Sequence, residues 1–406
     1  LNFASFIAGR ISFKSKRTFS KLIVRIAIVG IMLGLGVMIL SMAIIRGFKN
    51  EIKEKVRGFD GDIKVVKYDL NSSYENSPFA KADTFENLAL KSGSIIHIMP
   101  FATKPGIIKA HNEIEGVVLK GVDSAYKWDF LKANLTAGTV IDFADTTRSK
   151  TQLMISQTTA NRLRLKVGDA LMMYFVQEHV RRRPFKVVGI FDTSIEEIDK
   201  TYVIGDISLI KRLNNWEPDE IGGYELRVAD FDKLDQAADV VNNALPPRLR
   251  LSTVYENFPI IFEWLPLLDV NARVMLILML AVAVINMISA LLIMILERTA
   301  MIGILKAMGA KNWTIQKVFL YNASYLIGLG LLFGNIFGLG LSWIQYKTHV
   351  FKLDAESYYM TFVPIQLKLA DVVLLNIGTM AICLLVLIIP SMLVSKISPV
   401  KAIQYK

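Results

Sequence analysis

The sequence is poor in the residues on which most protein chemistry depends. Its 406 residues include one cysteine and four histidines. The single cysteine, Cys383, excludes a disulfide framework within the chain and leaves the compartment undecided. The histidines (His97, His111, His179, His349) are scattered. No His-Glu-x-x-His, Gly-x-Ser-x-Gly or Cys/His ligand cluster occurs, so neither a metal centre nor a catalytic constellation is predicted. No Gly-x4-Gly-Lys-Ser/Thr loop is present, which excludes ATP binding of that kind by this chain. Asp60-Gly61-Asp62 is too short for a calcium loop and reads as a turn. The most telling absence is of charge: residues 26–45, 274–296, 318–344 and 372–394 contain no Asp, Glu, Lys or Arg.

Each of those runs is at least as long as the ~20 residues that cross a bilayer core of roughly 30 Å. With 53% apolar residues overall, the composition excludes an ordinary soluble enzyme. Ion- and proton-coupled transport needs intramembrane carboxylates or histidines, and no span offers one. The net charge of +11 is unevenly placed. Residues 48–268 carry 29 basic and 31 acidic side chains, and the remainder 18 and 5. A nucleic-acid-binding protein would concentrate positive charge in its soluble part, so no nucleic acid is expected. Basic residues flanking spans meet lipid head groups instead.

The predicted fold is a membrane protein of four transmembrane α-helices, with a large mixed α/β extracytoplasmic domain inserted between the first and second. Residues 1–25, where Phe3, Phe6, Ile7, Phe13 and Phe19 alternate with basic residues, read as an interfacial elbow or a plain positive stop. The first span takes 26–47, too long for a signal-peptide core and followed by no small-residue cleavage site. The inserted domain takes 48–268. The second span is 274–296, with a loop and short helix at 297–317. The third is 318–344, with a loop at 345–371; the fourth is 372–394, with a tail at 395–406. Basic residues in 1–25, 297–317 and the tail outnumber those in 345–371, which places both termini in the cytoplasm.

Within the inserted domain, residues 48–56 continue the first helix and Gly58 ends it. Strands are predicted at 62–67, 106–110, 116–120, 151–156, 170–176, 185–190, 202–204 and 224–228, and helices at 158–165 and 231–244. Residues 177–184 read as a hairpin tip carrying Arg181, Arg182 and Arg183, either a solvated loop or a docking point for an acidic partner. Gly330-x3-Gly334-x3-Gly338 in the third span permits close helix approach, inside one chain or across a dimer. Met38, Met42, Ile45 and Phe48 at the exit of the first span, with Phe262, Trp264, Leu268 and Met275 at the entry of the second, read as the mouth of an apolar cavity or as interfacial anchors.

The informative loop is Glu297-Arg298-Thr299-Ala300-Met301-Ile302-Gly303-Ile304-Leu305-Lys306-Ala307-Met308-Gly309-Ala310. Met301, Ile304, Leu305 and Met308 fall on one helical face. Gly309 suits a left-handed C-cap and Asn312 an N-cap for the next helix. Such a short amphipathic helix either lies in a partner's groove or rests on lipid.

This loop resembles the coupling-helix signature of the FtsX-like permease superfamily, the MacB-type ABC transporters. The order of one span, a domain of about 220 residues and three spans matches the MacB-like topology, as do Pro390 and the ending Ser398-Pro399-Val400-Lys401-Ala402-Ile403. Arg46-Gly47-Phe48-Lys49-Asn50-Glu51-Ile52 is most similar to the lipoprotein-releasing LolC/LolE branch. The resemblance implies a multi-pass subunit of a bacterial inner membrane that works with a separate LolD-like ATPase. That partner holds ATP and Mg; this chain binds no cofactor or metal and is no enzyme. It implies a second permease subunit, identical or paralogous, and a lipoprotein substrate passed to a LolA-like periplasmic carrier. Glu297, Arg298, Met301, Gly303, Ile304, Leu305, Met308 and Gly309 would contact the ATPase. The eight cavity residues would receive acyl chains, and Arg181, Arg182 and Arg183 would meet the carrier. The LolC-type subunit carries an extended hook at the corresponding hairpin, which is missing here. The alternatives are a MacB-like export or mechanotransmission permease and an FtsX-like scaffold that activates a cell-wall hydrolase.

Overall fold

The computed structural model describes residues 18–69, 74–111, 113–177, 179–354 and 358–397. Residues 1–17 of the elbow segment and the Ser398–Ile403 ending lie outside them. Five helices matter most for function: α1 (Thr18–Asp60), α2 (Pro259–Glu297), α3 (Thr299–Ala307), α4 (Asn312–Thr348) and α5 (Leu369–Ser391). Four of these, all but α3, are long and apolar enough to cross a membrane. The chain divides into two compact units. One takes in the described residues up to Lys49, Trp264–Lys352 and those from Phe362 onward; the other takes Asn50–Glu263 and Leu353–Thr361.

In the helical unit, the glycine series of α4 packs against α1. A side chain at Gly330 would meet Ile31, one at Gly334 would meet Leu35, and one at Gly338 would meet the backbone of Gly36. Apolar side chains gain nothing by leaving lipid for each other, so close backbone approach supplies the attraction. The series therefore serves packing within one chain. Ile31, Leu35, Ile39, Phe319, Leu326 and Ile327 fill the core beside it. Gly328 and Gly340 face open space. Residues 18–25 continue the helix of the first span instead of forming a separate segment.

One end of this unit is tied by polar contacts. Arg46 pairs with Asp371, and Lys49 with Asp269 at 2.5 Å. The Gln366 amide donates to the Ala43 carbonyl at 3.0 Å. Gln345, 3% exposed, donates to the carbonyls of Phe351 and Val363 and accepts from the Phe351 amide. A buried primary amide needs such partners, and here they pin the loop that follows α4. The opposite end carries α3, where the Lys306 ammonium donates to the carbonyls of Ser395 (3.1 Å) and Ile397 (2.8 Å).

The second unit is built on a ten-stranded sheet, with a two-stranded sheet beside it. The strands are β1 (Ile63–Lys67), β2 (Phe79–Ala80), β3 (Ile95–Ala110), β4 (Glu113–Val122), β5 (Leu135–Gly138) and β6 (Gln152–Ser156). They continue as β7 (Ala170–Phe175), β8 (Arg181–Phe191), β9 (Tyr202–Asp206), β10 (Glu220–Ile221), β11 (Gly223–Val228) and β12 (Leu249–Thr253). The path runs β12-β1-β11-β3-β4-β9-β6-β8-β5, and β7 pairs with both β3 and β8. The pairings β3-β4-β9-β6-β8-β7-β3 thus close a ring. Closure leaves the ring itself without an open edge, and the path ends outside it on β12 and β5. Leu171, Met173, Phe175, Phe185 and Val187 alternate as buried residues on β7 and β8, as period-two side chains should. Ser156 and Asp206 end β6 and β9 and also cap the helices that follow, accepting from the Thr159 and Ser208 amides. Each such cap is worth about 1 kcal/mol.

Four expectations about local structure are corrected. Gly58 does not end α1; the helix runs to Asp60 and stops at Gly61, whose φ is +74°. Gly58 remains glycine for a different reason, since the Phe130 ring occupies the space of a side chain there. Arg181, Arg182 and Arg183 open strand β8 and are not at the hairpin tip, because they pair in register with Phe175, Tyr174 and Met173. Asn312 is the first residue of α4, and Lys311 takes the cap position without a side-chain bond. Strands β2, β5, β10 and β12 were not expected, being short or poor in β-branched residues.

Candidate functional site: an outward-facing short helix and an apolar seam

The loop between α2 and α4 folds as α3, closed by Gly309 at φ +89°. The Ala310 amide reaches the Leu305 carbonyl at 2.9 Å and the Gly309 amide the Lys306 carbonyl at 3.0 Å, the bonds of a left-handed cap. The four residues expected on one face are divided. Met301 and Leu305 pack inward on the helical core, beside the buried Ile302 and Gly303. Ile304 and Met308 point outward, at 52% and 78% exposed. Together with the exposed Ala300 and Ala307 they form an uncharged stripe at offsets 0, 4, 7 and 8. The correction has a simple cause: nearly every residue of α3 is apolar, so hydrophobic spacing alone marks two faces and cannot choose between them. The spacing of Ala300 and Ala307 was available in the sequence as the second face. Glu297 ends α2 and Arg298 occupies the cap position of α3.

The second candidate is the seam of α1 with α2 at the opposite end of the helical unit. The rings of Phe48 and Trp264 lie 5.7 Å apart and tilted. The Ser41 hydroxyl contacts the Met275 sulfur at 3.1 Å. Met42, Ile45 and Leu268 are half-buried, while Trp264 and Met275 are about 40% exposed. Two of the expected cavity residues do not belong here. Met38 is 2% exposed and fills the core with Leu35 and Ile39, so it cannot line an open space. Phe262 belongs to the α/β unit, where its ring stands edge-on to Tyr255 at 4.8 Å and 6.4 Å from Phe231. Aromatic rings satisfy one another in that offset geometry. The ion pairs Arg46–Asp371 and Lys49–Asp269, which the sequence reading missed, bound this end; span-flanking opposite charges were their signal.

In the α/β unit, Arg181 is half-buried and donates to the Leu213 carbonyl at 3.1 Å. Arg182 lies in a cross-strand row with Tyr174 and Ile107. The β7–β8 connection carries Val176 and Val180, each more than 60% exposed. Deeper inside, the Asp199 carboxylate accepts from the Thr193 amide and hydroxyl. Burial lifts its pKa to about 6, and neighbouring Asp192 adds to the rise against those hydrogen bonds. Among the described residues no group of acidic, His and Cys side chains could hold a metal.

Family models match both parts of the chain. The MacB-like periplasmic core domain matches residues 26–244, and the FtsX-like permease C-terminal domain matches residues 273–399. The chain is 21% identical to the lipoprotein-releasing system transmembrane protein LolC of Xylella fastidiosa, covering 97% of this chain and 96% of that one. It is 21% identical to LolE of Haemophilus influenzae, with 96% of each covered. The solved periplasmic region of MacB from Actinobacillus actinomycetemcomitans aligns with 50% of this chain and 94% of its own, at 15% identity and a TM-score of 0.35. The periplasmic-core match alone spans more than half of the residues, and the permease match continues through the last three spans. The chain therefore belongs to the MacB-type, FtsX-like family of membrane permeases.

Proposed function

We propose that this chain is a permease subunit of an ABC transporter that extracts lipoproteins from the inner membrane and releases them to a periplasmic carrier. The work is done by ATP and Mg on a separate, LolD-like ATPase. The observation that carries the reading is the outward stripe Ala300, Ile304, Ala307 and Met308. An uncharged helix face left exposed beside basic residues suits a groove on a partner. Glu297 and Arg298 border it, while Met301, Leu305 and Gly303 transmit its movement to the core. In this reading α3 and both termini are cytoplasmic and the α/β unit is periplasmic. A second permease copy, identical or paralogous, completes the complex.

The substrate class is supported by relatives named as lipoprotein-releasing proteins, aligned over nearly the whole chain. The seam of Met42, Ile45, Phe48, Trp264, Leu268 and Met275 would take the acyl chains. Its uncharged, sulfur- and aromatic-rich lining suits flexible hydrocarbon. Withdrawing acyl chains from lipid costs about 0.8 kcal/mol per CH₂, so a multiply acylated anchor requires an external energy source. The carrier would meet the row of Ile107, Tyr174 and Arg182 and the Val176 and Val180 tip, with Arg181 held in the strand and Arg183 beside it. A second reading, export or mechanotransmission of the MacB kind, is favoured by the short 176–180 connection, which leaves little to grip a carrier.

Depletion followed by membrane fractionation tests the proposal. Outer-membrane lipoproteins should accumulate in the inner membrane; their normal export would reject it in favour of the second reading. In the reconstituted complex, Ile304→Asp should lower ATP-driven lipoprotein release at least tenfold while substrate still crosslinks at Phe48. Undiminished release would remove α3 from the coupling.

A further inference from the structure

A groove of about 260 Å³ opens between α4 and α5, away from the seam and from the outward stripe of α3. On α4 its lining runs from Trp313 through Lys317, Leu320 and Tyr321 to Ser324, and Leu384 and Ile388 of α5 form the other wall. The α4 residues fall at offsets 0, 4, 7, 8 and 11, a single helical stripe. The seven residue steps from Lys317 to Ser324 extend about 10 Å, some two-thirds of the roughly 15 Å of hydrocarbon in one leaflet. The groove therefore runs from the head groups into the hydrocarbon of one leaflet.

Its polarity is graded along that depth. The charge-free run of α4 begins at Val318, so Trp313 and Lys317 stand at head-group level and the remaining lining lies in hydrocarbon. The Lys317 ammonium is 5.5 Å from the centre of the Trp313 ring, and among the described residues no carboxylate pairs with it. Farther down, the Ser324 hydroxyl donates to the Leu320 carbonyl at 2.9 Å, leaving the inner groove apolar. A cation at the rim, without an acid of its own, above an apolar slot within one leaflet complements an anionic head group that carries hydrocarbon.

We propose that the α4–α5 groove is a binding site for an anionic phospholipid, with the phosphate on Lys317 and one acyl chain along Leu320, Leu384 and Ile388. A span from a second copy is the poorer occupant. At the level of Lys317 the spans are flanked by Arg25, Arg298, Lys311 and Lys396 against the single acid Glu297, so a second copy would bring mainly like charge to the rim. The inference concerns lipid on the α3 side of the bundle and stands independently of the transported substrate.

The test uses the full chain purified from detergent with phosphatidylglycerol and phosphatidylcholine supplied in equal amounts, and retained lipid counted by native mass spectrometry. Phosphatidylglycerol should be retained preferentially. Lys317→Gln should reduce its retention about fivefold, the factor expected of one lysine at a lipid surface, and Lys317→Arg should preserve it. Leu384→Trp, which fills the slot, should displace both lipids. Equal retention of the two lipids by the unmodified protein would overturn the proposal. So would indifference of phosphatidylglycerol to Lys317→Gln, or a disulfide-linked dimer formed in place of bound lipid through Leu385→Cys, a position that also lines the groove.

Discussion

The two units of this molecule bury their interiors by opposite means. In the α/β unit, Lys120 and Glu225 are 2% and 1% exposed at the side chain and lie 2.7 Å apart. The Lys120 ammonium also donates to the Phe59 carbonyl and sits 4.3 Å from the Phe59 ring centre. Asp60 and Lys64 pair beside them at 2.6 Å. Among the described residues the helical unit buries no charged side chain, and the backbone of Gly36 lies close against Gly338. A sheet surrounded by strand and helix ends can offer a buried ion the carbonyls and counter-charges it requires. A span has already spent its backbone groups on itself, so small residues and close contact are what remain. Burial of charge is thus a matter of available partners, not of depth alone.

Breaking one partner in the ionic core should have the largest effect. Lys120→Met strands Glu225 and is expected to cost about 3–5 kcal/mol, read from denaturant titration of the full chain in detergent micelles. Lys120→Met with Glu225→Leu should recover most of that loss. A double variant as unstable as the single one would show that packing, not charge pairing, holds this core.

Asp199 sharpens the comparison from the other direction, as a buried carboxylate held by Thr193 and, among the described residues, without a cation at hydrogen-bond distance. Its folded pKa of about 6 lies above the ordinary 3.8. The folded state therefore holds the proton more tightly than the unfolded state. The resulting cost is absent below pH 3.8, grows between 3.8 and 6, and is complete above 6. Asp199→Asn should accordingly stabilise the protein by about 2–3 kcal/mol at pH 8 and by nearly nothing at pH 4. A pH-independent difference between the two proteins, measured by thermal unfolding, would assign the effect to the amide's hydrogen bonds instead.

The smallest effect is expected in the helical unit. Gly338→Ala presses a methyl group on the Gly36 backbone and should cost about 1–2 kcal/mol, whereas Gly328→Ala meets open space and should be near neutral. Equal responses of the two variants to denaturing detergent would remove the glycine series from α1–α4 packing.

Much of the architecture was legible because membrane spans announce themselves by composition, and no tertiary context can disguise four long charge-free runs. Strands with alternating burial, such as 170–176 and 185–190, were equally plain. The ring closure through β7 was not, since it depends on β3 being long enough to pair with β11 at one end and β7 at the other. The candidate sites were less legible still. Met38 and Met42 have the same chemistry and lie one helical turn apart, yet the first is in the core and the second half-buried.

The amino-acid sequence by itself determined the four spans, the existence of a short helix between the second and third, its termination at Gly309 and the absence of catalytic or metal chemistry motifs. These follow from local composition and from the backbone freedom of particular residues. Tertiary structure alone decided which side of α3 remains exposed, that the glycine series serves α1, that Phe262 joins an aromatic cluster and that Lys317 crowns an apolar slot. Each of these depends on which neighbour occupies a face, and hydrophobicity records that a face wants covering without saying by what.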